Sequence, residues 1–234
     1  MSDIRLVGVD VEVPVFAGRD VATKTLLSGV DLVLTEQRIG VIGANGSGKS
    51  TLLRLLNGLI APTRGRVLVN GVDTVADGKR VRQQVGFIFT DPLAQLVMST
   101  PIEDIELSLR RRIRRRSERE AAAYALLEAR GLGKLARQSI YDLSGGERQL
   151  VSLTTVLAVE PAIIVADEPT TLLDLRNREL MRAAFADLEQ QLIVSTHDLD
   201  LALDFERVLV VDAGRIAFDG PASTAVEHYR GLMV

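Results

Sequence analysis

The sequence predicts an α/β fold: a mostly parallel sheet flanked by helices, an antiparallel β part near the N-terminus, and a helical sub-domain inserted into the core. Three observations carry this. An apolar run at Arg38–Ile42 leads through a glycine-rich turn into a helical pattern from Thr51. Two further buried runs, Ala162–Ala166 and Leu192–Thr196, flank a helical stretch from about Arg176 to Gln190. Strand, helix, strand in that order implies parallel neighbours joined by a right-handed crossover. Between them, residues 91–150 lose the strand pattern altogether.

In chain order, residues 4–16 alternate apolar and polar as a half-buried strand does, and Leu32-Val33-Leu34 is a second candidate strand. Val67-Leu68-Val69 closes on Asn70-Gly71, a tight-turn signal, and Val85–Phe89 is a buried strand. Thr100-Pro101-Ile102-Glu103 has an N-cap, Pro at the first helical position and Glu three residues on. The helix it starts is expected to run into Arg110–Arg116. Ser117–Glu120 and Ser144–Glu147 have the form of capping boxes and predict two more helices. Val208–Val211 and Ile216–Phe218, joined by Ala213-Gly214, predict a closing hairpin. The expected organisation is one unit of 234 residues, with 1–90 and 151–234 as the core and 91–150 as the helical sub-domain.

The apolar share of 47% and charged share of 25% are those of an ordinary soluble protein. A net charge of −3 supplies no field toward nucleic acid or an anionic membrane. The absence of cysteine excludes disulfides and thiolate metal sites. No apolar run approaches the ~18 residues that span a bilayer, and Met1-Ser2-Asp3 opens no signal peptide. The expectation is a soluble, cytoplasmic chain that meets a membrane only through partners.

Gly43-Ala44-Asn45-Gly46-Ser47-Gly48-Lys49-Ser50-Thr51 fits G-x-x-x-x-G-K-S/T between a strand and a helix. A helix N-terminus offers unpaired N–H groups and a partial positive charge, and the glycines let the preceding loop turn its own N–H groups inward. Lys49 would reach the β- and γ-phosphates of a nucleotide and the Ser50 hydroxyl would ligate Mg²⁺. The fold is thereby predicted as a P-loop NTPase core. Such a site needs a second carboxylate at a neighbouring strand end, which Asp167 supplies. Glu168, next on the loop side, can polarise a water in line with the γ-phosphate. His197 ends the following strand, where open α/β sheets bind ligands, and is expected to donate to that phosphate. Ser144-Gly145-Gly146 is a second helix start facing a phosphate, and either a plain capping box or half of a site completed by another subunit.

Taken together, the chain resembles the ATP-binding-cassette ATPases over nearly its full length. Gly43–Ser50 matches Walker A, Leu143–Gln149 the signature, Ile163–Glu168 Walker B with its catalytic glutamate, Thr171–Asp174 the D-loop and His197 the switch histidine. Phe16, 33 residues ahead of Lys49, sits where the family places an aromatic against adenine. The resemblance implies ATP and Mg²⁺ as ligands, with Phe16, Gly43, Asn45, Gly46, Ser47, Gly48, Lys49, Ser50, Thr51, Ser144, Gly145 and Gly146 binding nucleotide. Ser50, Asp167 and Thr90 would serve the metal, and Glu168, His197 and Lys49 catalysis. It also implies a head-to-tail dimer, expected between identical subunits, in which each ATP lies between Walker A of one and the signature of the other.

Thr90 departs from the family, which has Gln at this position, and predicts weaker coupling between the membrane partner and hydrolysis. Phe89–Gln95 fits F-x-N/D-P-x-x-Q and precedes the acidic stretch Glu103–Glu106. This is similar to the A components of energy-coupling-factor importers of vitamins, cobalt or nickel, with the biotin type favoured. The implied partners are a transmembrane coupling subunit, a substrate-binding membrane subunit and a second ATPase subunit, on the cytoplasmic face of the membrane. Other transporter classes and a soluble regulatory or DNA-repair cassette remain as alternatives. Six arginines in the seven residues 110–116 lack the interleaved aromatics that bind nucleic acid; they are read as a solvated helix end or as a contact with lipid headgroups.

Overall fold

The computed structural model describes residues 2–17 and 20–233; the side chains of residues 16, 17, 20 and 21 lie outside that description. Two sheets and a helical part share the chain. The first sheet has the order β2-β1-β4-β5, built from β1 (Ile4–Ala17), β2 (Asp20–Leu34), β4 (Arg64–Val69) and β5 (Val72–Asp73). All its pairs are antiparallel. The alternation in β1 changes phase: Ile4 and Leu6 are buried, then Val9 and Val11. The shift falls at Gly8, at φ 55°, where the pairing with β2 is irregular. Such a bulge suits a residue without Cβ, and Asp31 accepts from the Gly8 N–H at 2.8 Å. Asn70 and Gly71, at φ 49° and 77°, make the expected tight turn between β4 and β5.

β2 is a strand of 15 residues that begins at Asp20, twelve residues ahead of the predicted Leu32–Leu34. Residues 22–25 are exposed, so they carry no alternation to read. Pairing with β1 is what extends them.

The second sheet has the order β10-β9-β3-β8-β7-β6. It comprises β3 (Arg38–Ile42), β6 (Val85–Ile88), β7 (Ile163–Asp167), β8 (Gln191–Ser195), β9 (Arg207–Asp212) and β10 (Arg215–Gly220). Its pairs are parallel except β9 with β10, the predicted hairpin. The inner strands read as continuous apolar runs because both faces are covered. Ile163 and Val165 of β7 enter the core shared with the first sheet and α1 (Lys49–Leu56), while Ile164 and Ala166 face the opposite core. That second core is packed by α5 (Gly145–Leu157), α6 (Leu175–Ala186) and α8 (Ala222–Leu232).

Between β6 and β7 lie α3 (Pro101–Leu109), α4 (Arg116–Glu128) and α5, which share an apolar cluster around Ile105, Leu127 and Val151. Buried Asp104 accepts from the Val97 and Met98 N–H groups at 3.0 and 3.2 Å. Burial pushes its carboxyl upward despite these two donors. The exposed Val97 and Met98 are thus held by a buried group.

Several local expectations are corrected. α3 stops at Leu109, so the arginine run is mostly turn, with Arg112 on Glu160 at 2.6 Å and Arg115 on Glu118 at 3.1 Å. Ser117 does not cap α4: the cap position is Arg115, no side-chain cap bond forms, and Glu120 pairs with Arg137 instead. Thr100 occupies its cap position but its hydroxyl donates to the Glu103 carboxylate at 2.9 Å rather than accepting a backbone N–H. α6 ends at Ala186, short of Gln190. Three helices carried too little pattern to be anticipated: α2 (Gly78–Gln84), α7 (Leu199–Ala202) and α8. Among the described residues no helix is long and apolar enough to cross a membrane.

Candidate functional site

The loop between β3 and α1 curls around its own interior. Gly43, Gly46 and Gly48 have φ of 154°, 79° and 116°. A Cβ on Gly43 would lie 2.1 Å from the Val211 carbonyl oxygen, so only glycine lets the loop approach β9 this closely. The Lys49 ammonium, 6% exposed, donates to the Gly43 and Ala44 carbonyls at 2.8 and 3.1 Å and lies 3.6 Å from Glu168. Asn45 and Gly46 are exposed at the rim. The buried Ser47 hydroxyl oxygen has no hydrogen-bond partner among the described residues.

Parallel pairing of β7 with β8, and of β8 with β3, brings three strand ends to this loop. Ser50 donates to Asp167 Oδ1 at 2.9 Å, and Ser195, at the end of β8, donates to the same oxygen at 2.8 Å. The Glu168 N–H donates to the Ser195 hydroxyl and carbonyl oxygens at 3.0 and 3.1 Å. Glu168 itself has φ 50°, an uncommon left-handed conformation for a residue with a Cβ. Its Oε2 accepts from His197 Nδ1 at 2.7 Å and from the Thr171 hydroxyl at 2.9 Å. Ser195 is not among the predicted site residues; the signal that could find it is its place as the first hydroxyl after the apolar run Leu192-Ile193-Val194, two residues ahead of His197.

Thr90, after β6, donates its hydroxyl to the Asp167 carbonyl at 2.7 Å. Gln95 does not take the place of a glutamine at 90. Its amide turns inward, donating to the Ser152 carbonyl at 3.0 Å and accepting from the Phe89 N–H at 3.4 Å.

These residues face one cleft of about 1070 Å³, lined by Gly43–Gly46, Gly48–Thr51, Thr90, Glu168, Thr171 and His197. Lys24, Thr25, Leu26, Ala213, Gly214 and Tyr229 complete its wall. The volume accommodates a nucleotide. The side chain of Phe16 lies outside the described residues; its backbone is in β1.

The Ser50 hydroxyl, the Asp167 carboxylate it donates to and the Thr90 hydroxyl are hard oxygen donors that could hold a cation at the cleft. No group of three or more His, Asp or Glu able to hold a metal occurs among the described residues. That is the donor set of an ion shared with phosphates, and it fits Mg²⁺.

Ser144-Gly145-Gly146 is not in this cleft. Ser144 caps α5 in a complete capping box: its hydroxyl accepts from the Glu147 N–H at 3.3 Å, and its N–H and hydroxyl both donate to Glu147 Oε2 at 2.7 Å. Ser144 and Gly145 are exposed. A Cβ on Gly145 would meet nothing closer than the Leu172 carbonyl at 3.6 Å, whereas one on Gly146 would lie 2.2 Å from the Asn177 side chain. Thr171 at the cleft and Leu172 beside Gly145 therefore connect the two places.

The family profile described as ABC transporter matches residues 27–171. The biotin transport ATP-binding protein BioM of Rhizobium etli is 47% identical over 216 residues, 92% of this chain and 96% of its own. The energy-coupling factor transporter ATP-binding protein EcfA1 of Halalkalibacterium halodurans is 38% identical over 187 residues, 78% of this chain and 67% of its own. The dimeric post-hydrolysis structure of the ATP-binding cassette MJ0796, bound to ADP and Pi, superposes with a TM-score of 0.79 at 28% identity, over 94% of this chain and 98% of that one. A phosphate-cradling loop, an acidic strand end and a likeness spread over nine-tenths of the chain lead to one conclusion: the chain belongs to the ATP-binding-cassette family, as the subunit of a transporter that binds and hydrolyses ATP.

Proposed function

We propose that the chain drives a membrane importer of the energy-coupling-factor type, with biotin as its favoured cargo. The observation that carries this reading is the separation of two phosphate-facing places on one chain. Lys49, Asp167 and Glu168 converge in the cleft, while Ser144 and Gly145 are presented on another surface. Two copies arranged head to tail would bring each exposed signature over the other's cleft. ATP would close that pair and hydrolysis would release it, and the opening and closing would move helices of a transmembrane coupling subunit. The importer class and biotin are supported by the likeness to BioM and EcfA1. The chain's place would be the cytoplasmic face of the membrane, held there by the coupling subunit and a substrate-binding subunit.

The residue roles follow from the cleft. Phe16, assigned by its spacing from Lys49, would stack on the base, and Lys24 and Tyr229 line the cleft wall. The N–H groups of residues 45–51 would bind phosphates at the start of α1. Lys49 would exchange its loop carbonyls for β- and γ-oxygens and hold negative charge there. Glu168 would orient the attacking water and accept its proton. His197 Nδ1 lies 2.7 Å from Glu168 Oε2, which leaves Nε2 as the ring nitrogen that would donate to the γ-phosphate when it carries a proton. Ser50, Asp167 and Thr90 would hold Mg²⁺, which when bound neutralises phosphate charge. The donors of Ser144 and Gly146 from the opposite subunit would complete the enclosure.

Purification from native membranes in mild detergent tests the assignment. Co-elution with two integral membrane proteins, one of which retains labelled biotin, is the expected result. A cassette that elutes alone, or with a partner retaining cobalt or nickel and not biotin, overturns respectively the importer or the cargo.

A further inference from the structure

We infer that Ser195 is a positioning residue that sets the two acids of the cleft in register. The inference rests on reading Asp167 and Glu168 as the acids of hydrolysis. Ser195 is fully buried, and a buried hydroxyl in an apolar strand costs stability unless it is paired. Here it is paired at both ends. Its proton goes to Asp167 Oδ1 at 2.8 Å, and its oxygen accepts from the Glu168 N–H at 3.0 Å. One hydroxyl therefore orients the Asp167 carboxylate and anchors the backbone from which the Glu168 side chain springs.

The anchoring matters because Glu168 stands at φ 50°. A left-handed Glu is held by its surroundings rather than by its own preference. Without the hydroxyl, its N–H would keep only the Ser195 carbonyl at 3.1 Å, and the carboxylate would swing more freely about its partners His197 and Thr171. On the other side, Asp167 Oδ1 takes two hydroxyls, from Ser50 and Ser195. Ser50 must turn a lone pair toward a cation to ligate it, whereas Ser195 can keep donating. Ser195 is thus the group that holds Oδ1 while Ser50 changes partner. Removing it loosens the carboxylate at the moment the second restraint is withdrawn. Displacing a reacting group by about 1 Å costs on the order of a hundredfold in rate. A loosened carboxylate displaced only part of the time costs less.

Ser195→Ala keeps the backbone bond, so the fold should survive, which its melting temperature checks. The expected result is a kcat lower by about 10- to 100-fold with KM for ATP within about twofold. The gain in affinity for a fluorescent ATP analogue on replacing EDTA with Mg²⁺ should shrink, while affinity in EDTA stays unchanged. Ser195→Thr, which restores the hydroxyl, should recover most of kcat. In the Glu168→Gln background, Ser195→Ala should add less than its full loss, because the part that runs through Glu168 is already gone and only the part through Asp167 remains. A wild-type kcat in Ser195→Ala, or a full additional loss in the Glu168→Gln background, overturns the inference. If Glu168→Gln itself turns over ATP at the wild-type rate, it is the reading of the acids that fails.

Discussion

The two places proposed to face phosphates are both helix N-termini preceded by glycine or serine, and they treat their polar groups in opposite ways. At the start of α1 the Ser47 hydroxyl oxygen is buried without a partner among the described residues, and Lys49 rests on carbonyls of its own loop at 2.8 and 3.1 Å. At the start of α5 a single carboxylate, Glu147, takes both the N–H and the hydroxyl of Ser144 at 2.7 Å, and the box is complete. The first place is concave, lined by three strand ends and short of internal partners. The second is convex, exposed and satisfied by itself. A cleft of the first kind can bind a nucleotide on its own chain. A surface of the second kind has to exchange Glu147 for something offered by another molecule, which makes it suited to act late and conditionally.

That contrast can be broken experimentally, and the largest effect is expected in the concave half. Glu168→Gln removes the carboxylate that holds His197 and Thr171 but leaves the phosphate loop intact. It should bind ATP and hydrolyse it about 10²- to 10⁴-fold more slowly, and should accumulate as a dimer in gel filtration with ATP. A monomer under those conditions would detach nucleotide binding from pairing. A smaller loss is expected from the convex half. Gly145→Asp adds a side chain where space is open, the nearest atom being 3.6 Å away, so the fold should be unaffected. ATP affinity of the monomer should match wild type, whereas hydrolysis should fall by about 10- to 100-fold because a carboxylate now faces the partner's phosphates. Equal losses of affinity and rate would mean that the two places are not halves of separate sites.

The smallest effect is expected at Thr90, between the halves. Its hydroxyl is committed to the Asp167 carbonyl, and Gln95, the glutamine nearest in sequence, is committed to Phe89 and Ser152. Thr90→Gln should raise partner-stimulated hydrolysis by about fivefold or less and leave the basal rate alone. An unchanged stimulated rate would show that the short side chain does not weaken coupling.

The residues of the concave half were legible from sequence because their chemistry is local. A glycine loop must abut the helix it caps, and an acid must stand at the end of an apolar run. Phe16 was assigned by its spacing from Lys49 alone, and its side chain lies outside the described residues. Ser195 is not legible in the same way because its partners, the Asp167 carboxylate and the Glu168 N–H, are 28 and 27 residues distant along the chain. The capping box at Ser144 formed and the one at Ser117 did not, although the two tetrads share a pattern. The difference is that Arg137, from a distant turn, claims Glu120.

The sequence by itself determined the phosphate loop, the strands of the second sheet in their chain order, the Asn70-Gly71 turn and the acidic strand end, since each depends on neighbours within a few residues. Only the tertiary structure decided the length of β2, the bulge at Gly8, the commitment of Thr90 and Gln95, and the convergence of Ser50, Asp167 and Ser195. Those features depend on which strands lie side by side, and periodicity within one segment does not encode the identity of its neighbour.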